Sequence, residues 1–326
     1  MGTGIKEVAK IAGVSPATVS RTISGGIVSP VLKERVLAAI EQTGYRPNLT
    51  ARRLRANKSD TIGLIVADIR NPFFTAVARM IDDIASHNGQ HVILCNTDEN
   101  PKREQIYLNL MEQENVAGII LSATLPSIKK PELLRAERPI MLIDRQPLKP
   151  LYDAVFIDNK SAAERLVHHL NHNGFKKIVC LYGATSATGY DRKIGYENAM
   201  QSLGLRAKSL PIRHSQKTLE NVLTNLFAKS SRPEALIVTN SVMALKTAEF
   251  LQKRGISVPD QIALAAFDNE PWMQLVFHGI TTIAQPIEDI AREAYRGLVD
   301  RINQPQKSVR NIVLTSKLIV RNSTKK

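Results

Sequence analysis

The chain has 326 residues, is 43% apolar, and carries a formal net charge of +14 with two cysteines. That length allows a large core in more than one domain, no apolar run approaches the ~20 residues of a membrane helix, and a polar start with two cysteines (Cys95, Cys180) in apolar runs leads us to expect no secretory leader and a cytoplasmic protein with reduced thiols. The positive balance favours a polyanionic partner, and residues 1–60, with ten Lys or Arg against four Asp or Glu, look like a footprint for phosphates.

The first elements read as a helix-turn-helix. In the stretch 5–21, Ala9 lets two helices approach, Gly13 permits a left-handed turn four residues later, and Val19 anchors the second helix six further on. Ser15 is a good N-cap and Pro16 a good first helical residue. The outward N-terminal positions of that helix are Pro16, Ala17 and Thr18, with Arg21 one turn on, and such positions enter the major groove. Residues 24–28 form a loop. Ser29-Pro30 opens a third helix to about Thr43, with Leu32, Val36 and Ile40 closing a small core, and residues 44–47 stop it. Residues 1–47 are therefore expected to be a helical DNA-binding domain. Residues 48–58 are a short basic segment, read as a hinge or linker and too short for a stable isolated helix.

From Thr61 the pattern changes to short apolar runs alternating with amphipathic stretches. The runs lie at 62–67, 91–95, 118–121, 140–143, 155–157, 178–181, 235–238 and 262–267. The helical stretches lie near 74–88, 102–115, 159–173, 191–203, 218–229, 241–254 and 287–303. This alternation predicts an α/β fold of parallel sheets covered on both faces, in two doubly wound lobes. In such folds ligands are gripped at the carboxyl ends of strands. Asp144-Arg145, Asn240 and Asp268 stand there.

Several motifs carry a resemblance. They are the Val14-Ser15-x-x-Thr18-Val19-Ser20-Arg21 core, Gly44-Tyr45-Arg46-Pro47-Asn48 followed by Ala51-Arg52-Arg53-Leu54, and Asn71-Pro72-Phe73-Phe74 with Asp144-Arg145, Arg192, Asn240, Asp268 and Thr282-Ile283-Ala284-Gln285-Pro286. Over nearly its full length the chain resembles the LacI/GalR family of bacterial transcription repressors. The resemblance implies a helix-turn-helix domain (1–47), a hinge helix (48–58) and a periplasmic-binding-protein-like core (59–326). One lobe of that core would take about 60–158 plus 287–315, and the other about 159–284 plus 316–326. It implies a homodimer on a pseudo-palindromic double-stranded operator and a small effector in the interlobe cleft.

By resemblance, Pro16, Ala17 and Arg21 face base edges. Arg21 suits guanine O6 and N7, while Pro16 and Ala17 offer apolar contact only; Pro16 equally serves helix initiation. Ser15 and Thr18 would hold phosphates. In the hinge, Asn48, Ala51, Arg52 and Arg55 accompany Leu54, which the resemblance makes an apolar wedge in the minor groove; it reads equally as a leucine packed on the core without DNA. The expected effector residues are Asn71, Phe73, Asp144, Arg145, Arg192, Asn240, Asp268, Trp272 and Gln285, with Phe74 in the core. Trp272 reads either as a sugar-stacking ring or as lobe packing. Arg145, Arg192 and Arg70 could grip a carboxylate. The 268–272 and 280–286 runs are similar to those of members that sense sugar acids such as gluconate or ketogluconates, and a neutral pentose such as ribose is the alternative effector. Gly4 at the first N-cap, Ser24-Gly25-Gly26 in the turn and Ser241 after Asn240 depart from the family pattern.

Other readings are set aside. His168 and His172 have a metal-ligand spacing but lack partners. The loop 183–189 lacks a phosphate-loop ending, and no nucleophile elbow occurs. No cofactor, metal or catalysis is expected. A sugar-binding transport protein is disfavoured by the basic N-terminal domain.

Overall fold

The computed structural model describes residues 4–23, 25–45, 59–213, 216–228 and 232–325. The chain divides into two compact units, residues 1–59 and 60–326. Among the described residues no helix is long and apolar enough to cross a membrane.

The first unit contains α1 (Ile5–Ala12), α2 (Pro16–Ile23) and α3 (Pro30–Thr43). Their spacing buries Val8, Ala9, Ala12, Val19, Val36 and Ala39 in one small core. Gly13, at φ +64°, lets the chain leave α1 through the left-handed region. The Thr18 N–H donates to Ser15 Oγ at 3.1 Å, which caps α2. Ser29 occupies the N-cap of α3, but its hydroxyl makes no capping bond; Pro30 presets the first turn without it. Leu32, expected in this core, is only partly buried and outside it, whereas Val36 and Ala39 are buried in it and Ile40 packs against it.

The second unit has two six-stranded sheets. The first contains β1 (Thr61–Val66), β2 (His91–Asn96), β3 (Gly118–Leu121), β4 (Ile140–Ile143), β5 (Asp153–Ile157) and β11 (Asn311–Leu314). The second contains β6 (Ile178–Gly183), β7 (Ser209–Ile212), β8 (Ala235–Val238), β9 (Ala263–Phe267), β10 (Thr281–Ala284) and β12 (Lys317–Ile319). The orders are β11-β5-β4-β3-β1-β2 and β12-β10-β9-β8-β6-β7. Every pairing is parallel except that of β12, which runs antiparallel to β10. Strands β1, β3, β4, β8 and β9 are buried along their whole length, as continuous apolar runs covered on both faces must be.

Helices α4 (Pro72–His87), α5 (Pro101–Gln113), α6 (Leu125–Lys129), α7 (Asn159–His172), α8 (Ala187–Ser202), α9 (Gln216–Phe227), α10 (Ser241–Lys253) and α11 (Ile287–Asn303) cover them. The chain crosses between lobes after β5, after β10 and between β11 and β12. Helix α11 therefore returns to the first lobe, where Ile290, Ala291, Ala294 and Leu298 join Ile62, Leu64 and Val66. Helices α7 and α8 touch at Gly195, where a Cβ would stand 2.1 Å from the Lys160 carbonyl oxygen.

Candidate functional site

The carboxyl ends of both sheets open onto one cavity of about 300 Å³, within the range of small-molecule sites. Asn71 and Phe73 reach it from the start of α4, Asp144 and Arg145 from the end of β4, and Arg192 from α8. Asn240 enters from the start of α10, Asp268 from the end of β9 and Gln285 from the crossover after β10. The structure thus brings every expected effector residue together except Trp272. That ring packs against the apolar core of the second lobe, beside Met273 and Ile280, and does not line the cavity. Phe73 and Phe74 both line it, edge to face with centroids 5.0 Å apart. Phe74 is in the core as expected and Phe73 reaches the cavity as expected, but each does both, because the two rings are neighbours in the first turn of α4.

Two aspartates mark the strand ends. Asp144 (φ +71°) and Asp268 (φ +70°) adopt left-handed backbone, a conformation that short polar side chains tolerate. Asp268 Oδ2 accepts from the Ser241 N–H at 3.1 Å, and Oδ1 accepts from Gln285 Nε2 at 2.7 Å. Ser241 Oγ donates across the cleft to Asn71 Oδ1 at 3.2 Å. That same oxygen accepts from the Phe73 N–H at 3.1 Å and caps α4. Burial pushes the Asp144 carboxyl above its ordinary range, against the pull of Arg145 and Arg192.

The arginines differ in what they can still do. Arg192 donates from Nε to Asn159 Oδ1 at 2.7 Å and from Nη1 to the Thr239 carbonyl at 2.6 Å. Its guanidinium lies over Phe267, 4.2 Å from the ring centre. Burial lowers its pKa, with Asp268 and Asp144 opposing. Arg145 is held by both oxygens of Glu99, by Asp144 and by the Ala123 carbonyl. Arg70 pairs with Asp68 at 2.8 Å and with Asp98 at 3.4 Å. The bidentate carboxylate expected at Arg145 is thus already present as Glu99. No local motif marks Glu99, whose partner stands 46 residues away. Arg213, Thr239, Lys246, the loop residue Thr185, the N-cap Ser186 and Thr188 in the first turn of α8 also line the cavity without having been foreseen.

On the first unit, Pro16, Ala17 and Arg21 are exposed along the outer face of α2, while Val19 and Thr22 are buried beneath. Ser15 and Thr18 hydroxyls bond each other at 3.0 Å. Asn48, Ala51, Arg52, Leu54 and Arg55 lie outside the described residues.

Residues 4–48 match the model of bacterial regulatory proteins of the lacI family, and residues 167–324 match the periplasmic binding protein-like domain. The HTH-type transcriptional regulator PtxS of Pseudomonas plecoglossicida is 34% identical over 98% of this chain and 95% of its own length. The crystal structure of the lac repressor dimer bound to operator and the anti-inducer ONPF superposes with a TM-score of 0.88 at 21% identity, covering 100% of both chains. A periplasmic binding protein/LacI transcriptional regulator from Alkaliphilus metalliredigens, complexed with D-xylulofuranose, has a TM-score of 0.72 at 27% identity, over 81% of this chain and 99% of its own.

Proposed function

Because the chain belongs to the LacI family of bacterial regulatory proteins, we propose that it is a cytoplasmic homodimeric repressor that reads a pseudo-palindromic operator and is gated by a carbohydrate bound in its cleft. The observation that carries the reading is the cavity itself. Groups from both lobes face one space, and carboxylates, amides and arginines suited to hydroxyls stand beside two aromatic rings. A relative 27% identical was solved with D-xylulofuranose, which supports a carbohydrate. Pro16, Ala17 and Arg21 present the major-groove face, with Ser15 and Thr18 at phosphates. Hinge residues Asn48, Ala51, Arg52, Leu54 and Arg55 act from the minor groove, with Leu54 as the wedge, and their engagement with DNA is the step that the effector biases.

For the effector we favour a sugar acid such as gluconate or a ketogluconate. A neutral pentose such as ribose is the second reading, favoured by one observation: Glu99 already neutralises Arg145. Selection from a random duplex library by the purified protein tests the DNA half, and enrichment of a two-fold symmetric site is expected. Thermal shift with gluconate, 2-ketogluconate and ribose tests the other half, since a ligand of the folded state raises its Tm. An unsorted library refutes sequence-specific binding, and a shift with ribose alone selects the neutral sugar.

A further inference from the structure

The cavity has a second set of lining residues that the family motifs do not describe. The first set comprises the carboxylates of Asp68, Glu99, Asp144 and Asp268 together with Arg70, Arg145 and Arg192. Each of these arginines is engaged by protein acceptors: Arg70 by Asp68 and Asp98, Arg145 by Glu99 and Asp144, Arg192 by Asn159 and the Thr239 carbonyl. An anion placed there meets carboxylates at close range. Hydroxyls placed there find acceptors.

The second set, all from the second lobe, has the opposite character: Ile212, Leu219, Val242 and Met243 line the cavity together with the cations Arg213 and Lys246. Arg213 follows β7, is exposed, and has no side-chain partner among the described residues. Met243 and Lys246 are one turn apart on α10, so both face the cavity. Lys246 holds Glu249 at 3.3 Å in a partly exposed pair three residues on, an interaction of little net worth that an incoming anion can displace.

We infer that Arg213 and Lys246 read an anionic group in the cavity, so that the effector is a polyol with one terminal anionic group, its hydroxyls against the carboxylates of the first set and its charge at these two second-lobe cations. This rests on the sugar-acid reading above and reassigns the charge recognition within it. A carboxylate and a phosphate share the required chemistry.

Titration calorimetry on the full chain tests it with D-gluconate, D-glucose 6-phosphate and neutral D-glucitol at low and high salt. The wild type should prefer one anion over glucitol, and which anion it prefers separates carboxylate from phosphate. Arg213→Gln combined with Lys246→Gln should weaken that anion at least ~10-fold, about 1.4 kcal/mol, and flatten its salt dependence. An unchanged Tm without ligand verifies folding. Wild-type anion affinity in the double variant overturns the inference, as does an anion preference that only Arg192→Ala removes. Preference of the wild type for glucitol over both anions overturns the sugar-acid reading and this inference with it, and is seen before any variant is made.

Discussion

Ser241 in one lobe and Asn71 in the other are joined by a hydrogen bond, Oγ to Oδ1 at 3.2 Å. Asn71 Oδ1 also caps α4 through the Phe73 N–H, so cleft closure and the start of that helix share one acceptor. Ser241→Ala should remove the closing contact and leave the cap. A net hydrogen bond is worth ~0.5–1.5 kcal/mol, so affinity for the cleft ligand should fall about 2- to 12-fold, with DNA affinity in its absence unchanged. Calorimetry on the variant checks this, and wild-type affinity would show that the bond does not favour closure.

Arg192→Ala should abolish the effector response while DNA binding persists. The side chain lines the cavity and lies over Phe267, so its loss removes a ligand contact and a packing surface together. Electrophoretic shift of the selected duplex, with and without the sugar acid, should show binding that no longer responds. A wild-type response would remove Arg192 from the site.

Arg21→Ala should weaken binding to the selected operator by ~1–3 kcal/mol, the worth of one bidentate base contact, or roughly 5- to 150-fold. Arg21 is exposed on α2, so folding should be retained. Fluorescence anisotropy with specific and scrambled duplexes separates the two terms. Equal losses on both would make Arg21 a phosphate contact.

His169 should make stability fall with acid. Its Nε2 is 2.8 Å from Thr324 Oγ1 at the C-terminal end of the chain. Burial, and after it the neighbouring His172, holds its pKa below the ordinary value. The unfolded chain therefore takes up this proton first. The contribution is fully present above the ordinary pKa, ~6.5, and is lost as pH falls from there through the lower folded value. Calorimetric Tm measured from neutral to mildly acid pH should decline less steeply in His169→Gln. Parallel declines would contradict the assignment.

Gly195→Ala should destabilise the second lobe by about 2 kcal/mol or more. The added Cβ would meet backbone, the Lys160 carbonyl at 2.1 Å, and backbone yields less readily than a side chain. A lower urea midpoint with unchanged m-value is expected. An unchanged midpoint would mean that α7 and α8 separate at little cost.

Apart from β2, which is half-exposed, the strands legible in the sequence were those buried on two faces. Strands such as Ile140–Ile143 and Ala235–Val238 show as apolar runs because nothing else fits between two helical layers. Strands β7, β11 and β12 are partly exposed, and their apolar residues come in stretches of three at most. Strand β10 escaped notice for another reason: Thr281 and Thr282 are buried with hydroxyls donating to the Arg321 and Ala266 carbonyls. Asp144 and Asp268 were legible as site residues because strand order fixes where their ends point. Glu99, Arg213 and Lys246 were not, since each acquires its meaning from partners that only folding brings near. Trp272 misled because an aromatic ring beside a strand end suits stacking and core packing equally.

The threefold passage of the chain between the two sheets has a consequence for heredity. Neither lobe is a continuous stretch of gene, and β11 and β12 complete different sheets although they are adjacent in the chain. Recombination cannot exchange half a cleft with one crossover, whereas a single junction near Ser59 exchanges the whole N-terminal unit. The lining of the cavity is therefore altered most directly by point substitution, while the N-terminal unit can be replaced in one step.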